Sequence, residues 1–279
     1  MRIDAHQHFW RYDAAQYGWI DDSMAALRRD FLPPDSTREM DAMRFDACVA
    51  VQARQTLDET RWLLALAEGH PSIAGVVGWV DFQAGADGVR DQVASFASQP
   101  KLVGIRHIAQ AEPDDRFLLR PRVLEGLAVL AEFGLAFDLL ICRRQLPAAA
   151  ECVARCPGQR FVLDHLGKPD IRGGEIRDWE RDLRALARHA NVLAKLSGLV
   201  TEAASDWTAE TLRPYVDHLL ECFGAGRVIW GSDWPVVELG GGYARWHDAT
   251  TALVSSLGEA ERRAVLGDNA RRFYALADA

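Results

Sequence analysis

No apolar run in this sequence is long enough to cross a bilayer as a helix, which takes about 20 consecutive residues. No Lys/Arg-rich run offsets the formal net charge of −8, and a pI of about 5.5 speaks against a nucleic-acid or anionic-membrane surface. Cysteine is sparse, odd in number and scattered: Cys48, Cys142, Cys152, Cys156 and Cys222. Cys152 and Cys156 lie four apart on an expected helix, but no second pair with zinc-site spacing accompanies them, so reduced thiols are expected. The first strand begins at residue 3, which leaves no room for a signal peptide; together with the thiols this makes the cytoplasm the expected compartment. Linkers, low-complexity segments and internal repeats are missing too. No glycine-rich phosphate turn follows the first strand, which argues against an open doubly wound sheet.

What is present is a steady alternation of strand and helix. A chain of 279 residues, 49% hydrophobic, can bury one large core, and a single domain over residues 1–279 is expected. Strand-like runs end at His6–His8, Gln52, Asp81, His107, Ile141, His165, Ser197 and Asp233. Their hydrophobicity is continuous rather than alternating, as in parallel strands covered on both faces. Helical segments follow them, among them Asp35–Met43 with Asp35 or Ser36 as N-cap, Gly88–Ala97, and Ile176–His189. Eight such units predict an α/β fold of the (β/α)8 TIM-barrel type. The stretch from Phe9 to Pro34, rich in aromatic residues, is too long for an ordinary connection and is expected to fold over the mouth of the site.

In such barrels the reactive groups stand at the C-terminal ends of the strands. His6 and His8, one residue apart, share a face of the first strand and can grip a metal ion or polarise a carbonyl group. Asp233, in Gly-Ser-Asp-Trp-Pro, is the candidate general base, able to take a proton from water and return it to a leaving oxygen. His165 is the candidate partner, and by strand alternation Asp164 is expected to face the helical layer. Arg106 and His107 are adjacent, so one of them should face inward, and His107 is the expected one. Asp138 in mid-strand needs a cation such as Arg106 or Lys195. Gln52 ends the second strand, and Trp10, Trp19 and Trp234 could stack on a sugar face or simply pack in the core.

Ile-Asp-Ala-His-Gln-His-Phe-Trp, Gly-Ile-Arg-His, Leu-Asp-His-Leu-Gly-Lys-Pro, Lys-Leu-Ser-Gly-Leu and Trp-Gly-Ser-Asp-Trp-Pro, in that order along nearly the whole chain, resemble the amidohydrolase superfamily. They fit its branch of sugar-lactone and dicarboxylate-lactone hydrolases, nearest to the L-fucono- and L-rhamnono-lactonases. The resemblance implies a (β/α)8 barrel that opens a sugar lactone, with Asp233 activating water and His6, His8 and His165 around the reaction centre. Arg106, His107, Gln52 and Trp10 would then select the substrate. Members with two metals carry a lysine or glutamate after strand four, where this chain has Arg106-His107. Many with one metal carry a histidine after strand five, where it has Leu-Leu-Ile-Cys. The implied reaction therefore requires no metal; a single zinc at low occupancy on His6, His8, His165 and Asp233 is the alternative. The expected partner is the small-molecule lactone, with no nucleic acid or membrane, in a monomer or homodimer. A metal-dependent decarboxylase or amidohydrolase on the same barrel is the competing reading.

Overall fold

The structure is a computed structural model and describes residues 1–277; the last two residues of the expected domain lie outside the described residues. Eight parallel strands pair in sequence order: β1 Ile3–Gln7, β2 Ala47–Val51, β3 Ile73–Gly78, β4 Leu102–His107, β5 Ala136–Leu139, β6 Phe161–Leu163, β7 Val192–Leu196 and β8 Val228–Trp230. The helices between and after them are α1 Pro33–Ala42, α2 Leu57–Gly69, α3 Gly85–Ala94, α4 Pro121–Glu132, α5 Leu146–Arg155, α6 Arg177–Ala187, α7 Leu199–Glu202, α8 Ala209–Phe223, α9 Tyr243–Leu253, α10 Glu259–Arg263 and α11 Asn269–Tyr274. This is the expected (β/α)8 barrel. The ends of β8 and β1 join through the Asp233 N–H, which donates to the His6 carbonyl (2.9 Å), and the His8 N–H, which donates to the Trp234 carbonyl (2.6 Å). Among the described residues no helix is long and apolar enough to cross a membrane.

The barrel interior is filled by Ile3, Ala5, Ala47, Val49, Val51, Val77, Ala136, Val162 and Ile229, with Phe273, Tyr274 and Leu276 in the same cluster from the C-terminal segment. Small and β-branched side chains suit that narrow space. A second, larger apolar layer lies between strands and helices and holds Trp179, Trp230, Trp246 and most of the phenylalanines. Both strand faces are therefore buried, which accounts for the unbroken hydrophobic runs.

Helix boundaries differ from expectation where local chemistry overrides the periodic pattern. Helix α1 begins at Pro33 rather than Asp35, because prolines fit a first turn whose N–H groups lack helical partners. Asp35 then sits inside the helix, where its carboxylate accepts the Leu32 N–H at 3.1 Å. Helix α3 begins at Gly85, three residues early, since a short turn over Phe82–Ala84 runs directly into it. The stretch after β1 folds back on itself by pairing Trp10 with Phe31, and its middle carries a short 3-10 turn, Asp22–Leu27.

Candidate active site

The mouth of the barrel gathers three imidazoles and a carboxylate. A register shift in β1 between Asp4 and Gln7 changes its parity, so Ile3 and Ala5 fill the interior while His6 and His8 face the mouth together. The carboxylate of Asp4 fixes this bulge by accepting the Ser232 N–H (2.8 Å), the Gln7 amide (2.7 Å) and the Tyr243 hydroxyl (3.0 Å). Asp233 Oδ1 lies 3.3 Å from His8 Nε2, 3.7 Å from His6 Nε2 and 3.9 Å from His165 Nε2. Burial would raise the Asp233 carboxyl, but His165, the His8 contact and His6 hold it well below the usual carboxylate range. Burial pushes His165 down to about 4, and burial with the nearby Lys195 cation pushes His6 well below its ordinary value. At neutral pH the Asp233 carboxylate is ionised beside neutral His6 and His165 rings.

His165 reaches this position through a left-handed turn. His165, Leu166, Gly167 and Lys168 all have positive φ, at 52, 53, 68 and 53°. For a residue with a Cβ the conformation costs roughly 1–2 kcal/mol. The turn packs against Gly198, where a Cβ would come 2.4 Å from His165 Nδ1, so only glycine leaves the ring its place. Ser197 Oγ holds the same nitrogen at 2.9 Å. Because β6 ends at Leu163, strand alternation no longer governs the next two side chains. Asp164 is therefore not turned toward the helices as expected; it points inward beside His165.

Beneath the mouth lies a buried ion network. Lys195 Nζ donates to Asp138 Oδ2 at 2.6 Å, lies 3.0 Å from Asp164 Oδ1 and 3.1 Å from His6 Nδ1. Arg106 donates to Asp164 Oδ2 at 3.1 Å and also to the Gln52 carbonyl. Tyr274, from α11, donates its hydroxyl to Asp138 at 2.8 Å. The expected Asp138–Lys195 pairing is thus present.

Three expected substrate contacts are corrected. His107 points outward, where it stacks on Phe117 and meets Glu112 at 2.8 Å; Arg106 takes the inward position because Asp164 and Gln52 offer its guanidinium partners there. Trp10 is fully buried against Tyr17 and Phe31, with its indole N–H on the Arg29 carbonyl, and does not reach the cavity. Gln52 is buried too, holding Arg106 rather than facing open space. His8 Nδ1–H donates to the Val51 carbonyl at 2.7 Å, which leaves Nε2 facing Asp233.

Above this floor a cavity of about 770 Å³ is lined by His8, Arg106, His165 and Asp233 and by groups outside the expected set, including Gln55, Gln110, Lys168, Arg172, Thr201 and Glu202. Trp19 and Met24 from the β1–α1 stretch form its outer wall, in keeping with the expected cover. Gln55 belongs to a loop anchored by Glu59, whose buried carboxylate accepts the Ala53 N–H (3.0 Å) and the Arg54 N–H. Burial pushes the Glu59 carboxyl from 4.5 up to about 7, against the pull of those N–H groups. The folded chain thus keeps a proton that the unfolded chain releases, and this contribution to stability is lost as pH rises through about 7. Urea denaturation at pH 5 and pH 8 should show wild type losing about 2 kcal/mol more than Glu59→Gln over that interval.

The donor set also fits a single divalent ion. His8 Nε2 stands 3.3 Å from the Asp233 carboxylate, and with Nδ1–H given to the Val51 carbonyl it is the ring nitrogen placed to ligate. His6 Nε2 and His8 Nε2 are 3.2 Å apart, close to the edge of roughly 3.3 Å in a tetrahedral zinc site, and His6, His165 and Asp233 offer ligand atoms within 4.8 Å of one another.

A parallel barrel with histidines and an aspartate converging at its C-terminal mouth defines the class: a (β/α)8-barrel enzyme. The chain belongs to the amidohydrolase family, whose model, described as Amidohydrolase, matches residues 3–276. It is 42% identical over 294 residues to an L-fucono-1,5-lactonase of Burkholderia multivorans, covering 99% of this chain and 96% of that protein. It is 38% identical over 278 residues to an L-fucono-1,5-lactonase of Burkholderia ambifaria, covering 98% and 95%. The crystal structure of a Burkholderia multivorans amidohydrolase with bound zinc superposes with a TM-score of 0.95 at 40% identity, over 99% of this chain and 100% of that one.

Proposed function

We propose that this protein is a lactonase that opens a sugar lactone of the L-fucono-1,5-lactone kind to its sugar acid. The carrying observation is the Asp233 carboxylate set among His6, His8 and His165 at the floor of a cavity of about 770 Å³. The two L-fucono-1,5-lactonases that resemble the chain over nearly its full length support the substrate class.

Asp233 takes a proton from a water molecule, with His8 Nε2, 3.3 Å from the carboxylate, helping to orient it. The water oxygen attacks the lactone carbonyl. His165, on the cavity wall, donates to the developing oxyanion, with His6 and the Arg106 guanidinium packed beneath it. The ring C–O bond then breaks, and Asp233 returns its proton to the leaving ring oxygen. A divalent ion held by His6, His8, His165 and Asp233 would add Lewis-acid polarisation and acidify the water. A strained ester needs less help than an amide, and the reaction proposed here requires no metal. The enzyme would act in the cytoplasm, as a monomer or homodimer, without nucleic-acid or membrane partners.

The test is hydrolysis of a sugar-lactone panel, followed as acid release in weak buffer, with and without chelator. Turnover indifferent to chelation is expected. Turnover lost on chelation and restored by zinc would keep the reaction and make the imidazoles ligands. Silence across the panel would shift the assignment to metal-dependent decarboxylation or amide hydrolysis on the same barrel.

A further inference from the structure

We propose that Lys168 and Glu202 form the subsite that recognises neighbouring hydroxyls of the lactone ring, a proposal that rests on the lactonase reading above. The two residues come from the segments that follow β6 and β7, and both line the cavity. Lys168 Nζ stands 3.7 Å from Glu202 Oε1, beyond hydrogen-bonding distance, and the side chains are 26% and 27% exposed. Among the described residues neither charged head makes a hydrogen bond.

That openness sets the pair apart from the other charges on the cavity wall. Arg106 is committed to Asp164 and Gln52. Arg172 donates to the Ala203 carbonyl at 3.2 Å. Asp233 is the only other carboxylate on the described wall, and it sits among the imidazoles. Lys168 and Glu202 alone offer a strong donor and a strong acceptor side by side.

A sugar hydroxyl both donates and accepts, whereas an ammonium only donates and a carboxylate only accepts. One ring hydroxyl accepting from Lys168 and its neighbour donating to Glu202 would complete both heads, with charge-assisted bonds at each. The backbone supports a functional placement. Lys168 closes the left-handed turn that begins at His165, with φ of 53°, at a position glycine would occupy without strain. A partly exposed ion pair contributes little stability, so a tie between two loops does not account for keeping a lysine there.

The experiment compares wild type with Lys168→Met and Glu202→Gln, measuring kcat and KM on L-fucono-1,5-lactone. δ-Valerolactone, a six-membered lactone without hydroxyls, is followed in parallel as substrate and as competitive inhibitor. Each substitution should lower kcat/KM on the sugar lactone by about 10- to 100-fold, mainly through KM. The fall should be at least about tenfold greater than any change toward δ-valerolactone, with the melting temperature nearly constant. Equal losses toward both lactones would overturn the subsite in favour of a structural role, as would unaltered kinetics on the sugar lactone. A wild-type enzyme that neither turns over nor binds any lactone would overturn the lactonase reading and the subsite together.

Discussion

Asp233→Asn should lower kcat by about a thousandfold or more while the circular dichroism spectrum and melting temperature stay close to wild type, since positioned proton transfer contributes about 10²–10⁴ and the proposed mechanism asks two such transfers of this group. The fold has little reason to respond. The Asp233 N–H would still donate to the His6 carbonyl and tie β8 to β1. The φ of 63° at this position suits asparagine at least as well as aspartate. No buried cation is orphaned either, because His6 and His165 are held in their neutral forms by burial. What the proposed reaction would lose is the group assigned to take the proton of the attacking water and give it back to the ring oxygen. Initial rates by acid release on a sugar lactone provide the measurement. Turnover near the wild-type value would remove Asp233 as the base.

The same residues show which parts of the molecule could be read from sequence. The eight strands were legible because both faces of each are buried, leaving runs such as Ala47–Val51 uninterrupted by polar residues. His6 and His8 share a side as alternation implies, although the bulge below them was invisible, and without it the parity of Ile3 and Ala5 would have turned both rings away from the mouth. Alternation misplaced Asp164 because it applies only while a strand continues, and no propensity announces a left-handed turn made largely of non-glycine residues. For Arg106 and His107 the rule was sound but lacked its origin. The decision came from Asp164, 58 positions away, which draws the guanidinium inward. Lys168 lies on a loop and Glu202 ends the single-turn helix α7, and local pattern carries no information about which such side chains converge.

Lys195→Met should destabilise the protein by about 3–5 kcal/mol, because it removes one member of a buried ion cluster and leaves its partners uncompensated. For a chain of this size that corresponds to a fall in melting temperature of roughly 10 °C. Lys195 has no exposed surface and sits between Asp138 and Asp164, which are equally buried. Burial raises the Asp138 carboxyl to about 6 even with Lys195 opposing it, so without the ammonium it should rise further. A carboxyl raised in the folded state favours folding while it keeps its proton and loses that contribution as pH rises through its folded pKa. The deficit of the variant should therefore be smaller near pH 6 than near pH 8. Asp138→Asn added to Lys195→Met should recover part of the loss, since Arg106 still serves Asp164 while the neutral amide no longer demands a cation. Denaturation of the two single variants and the double variant closes this cycle, and additive losses would show that Lys195 and Asp138 do not act as a pair. The expected coupling also has a catalytic side, because Lys195 Nζ lies 3.1 Å from His6 Nδ1 and so positions a ring of the reaction centre. The buried network and the reaction centre are in this sense one structure, with Tyr274 of α11 at its base and Asp233 at its top.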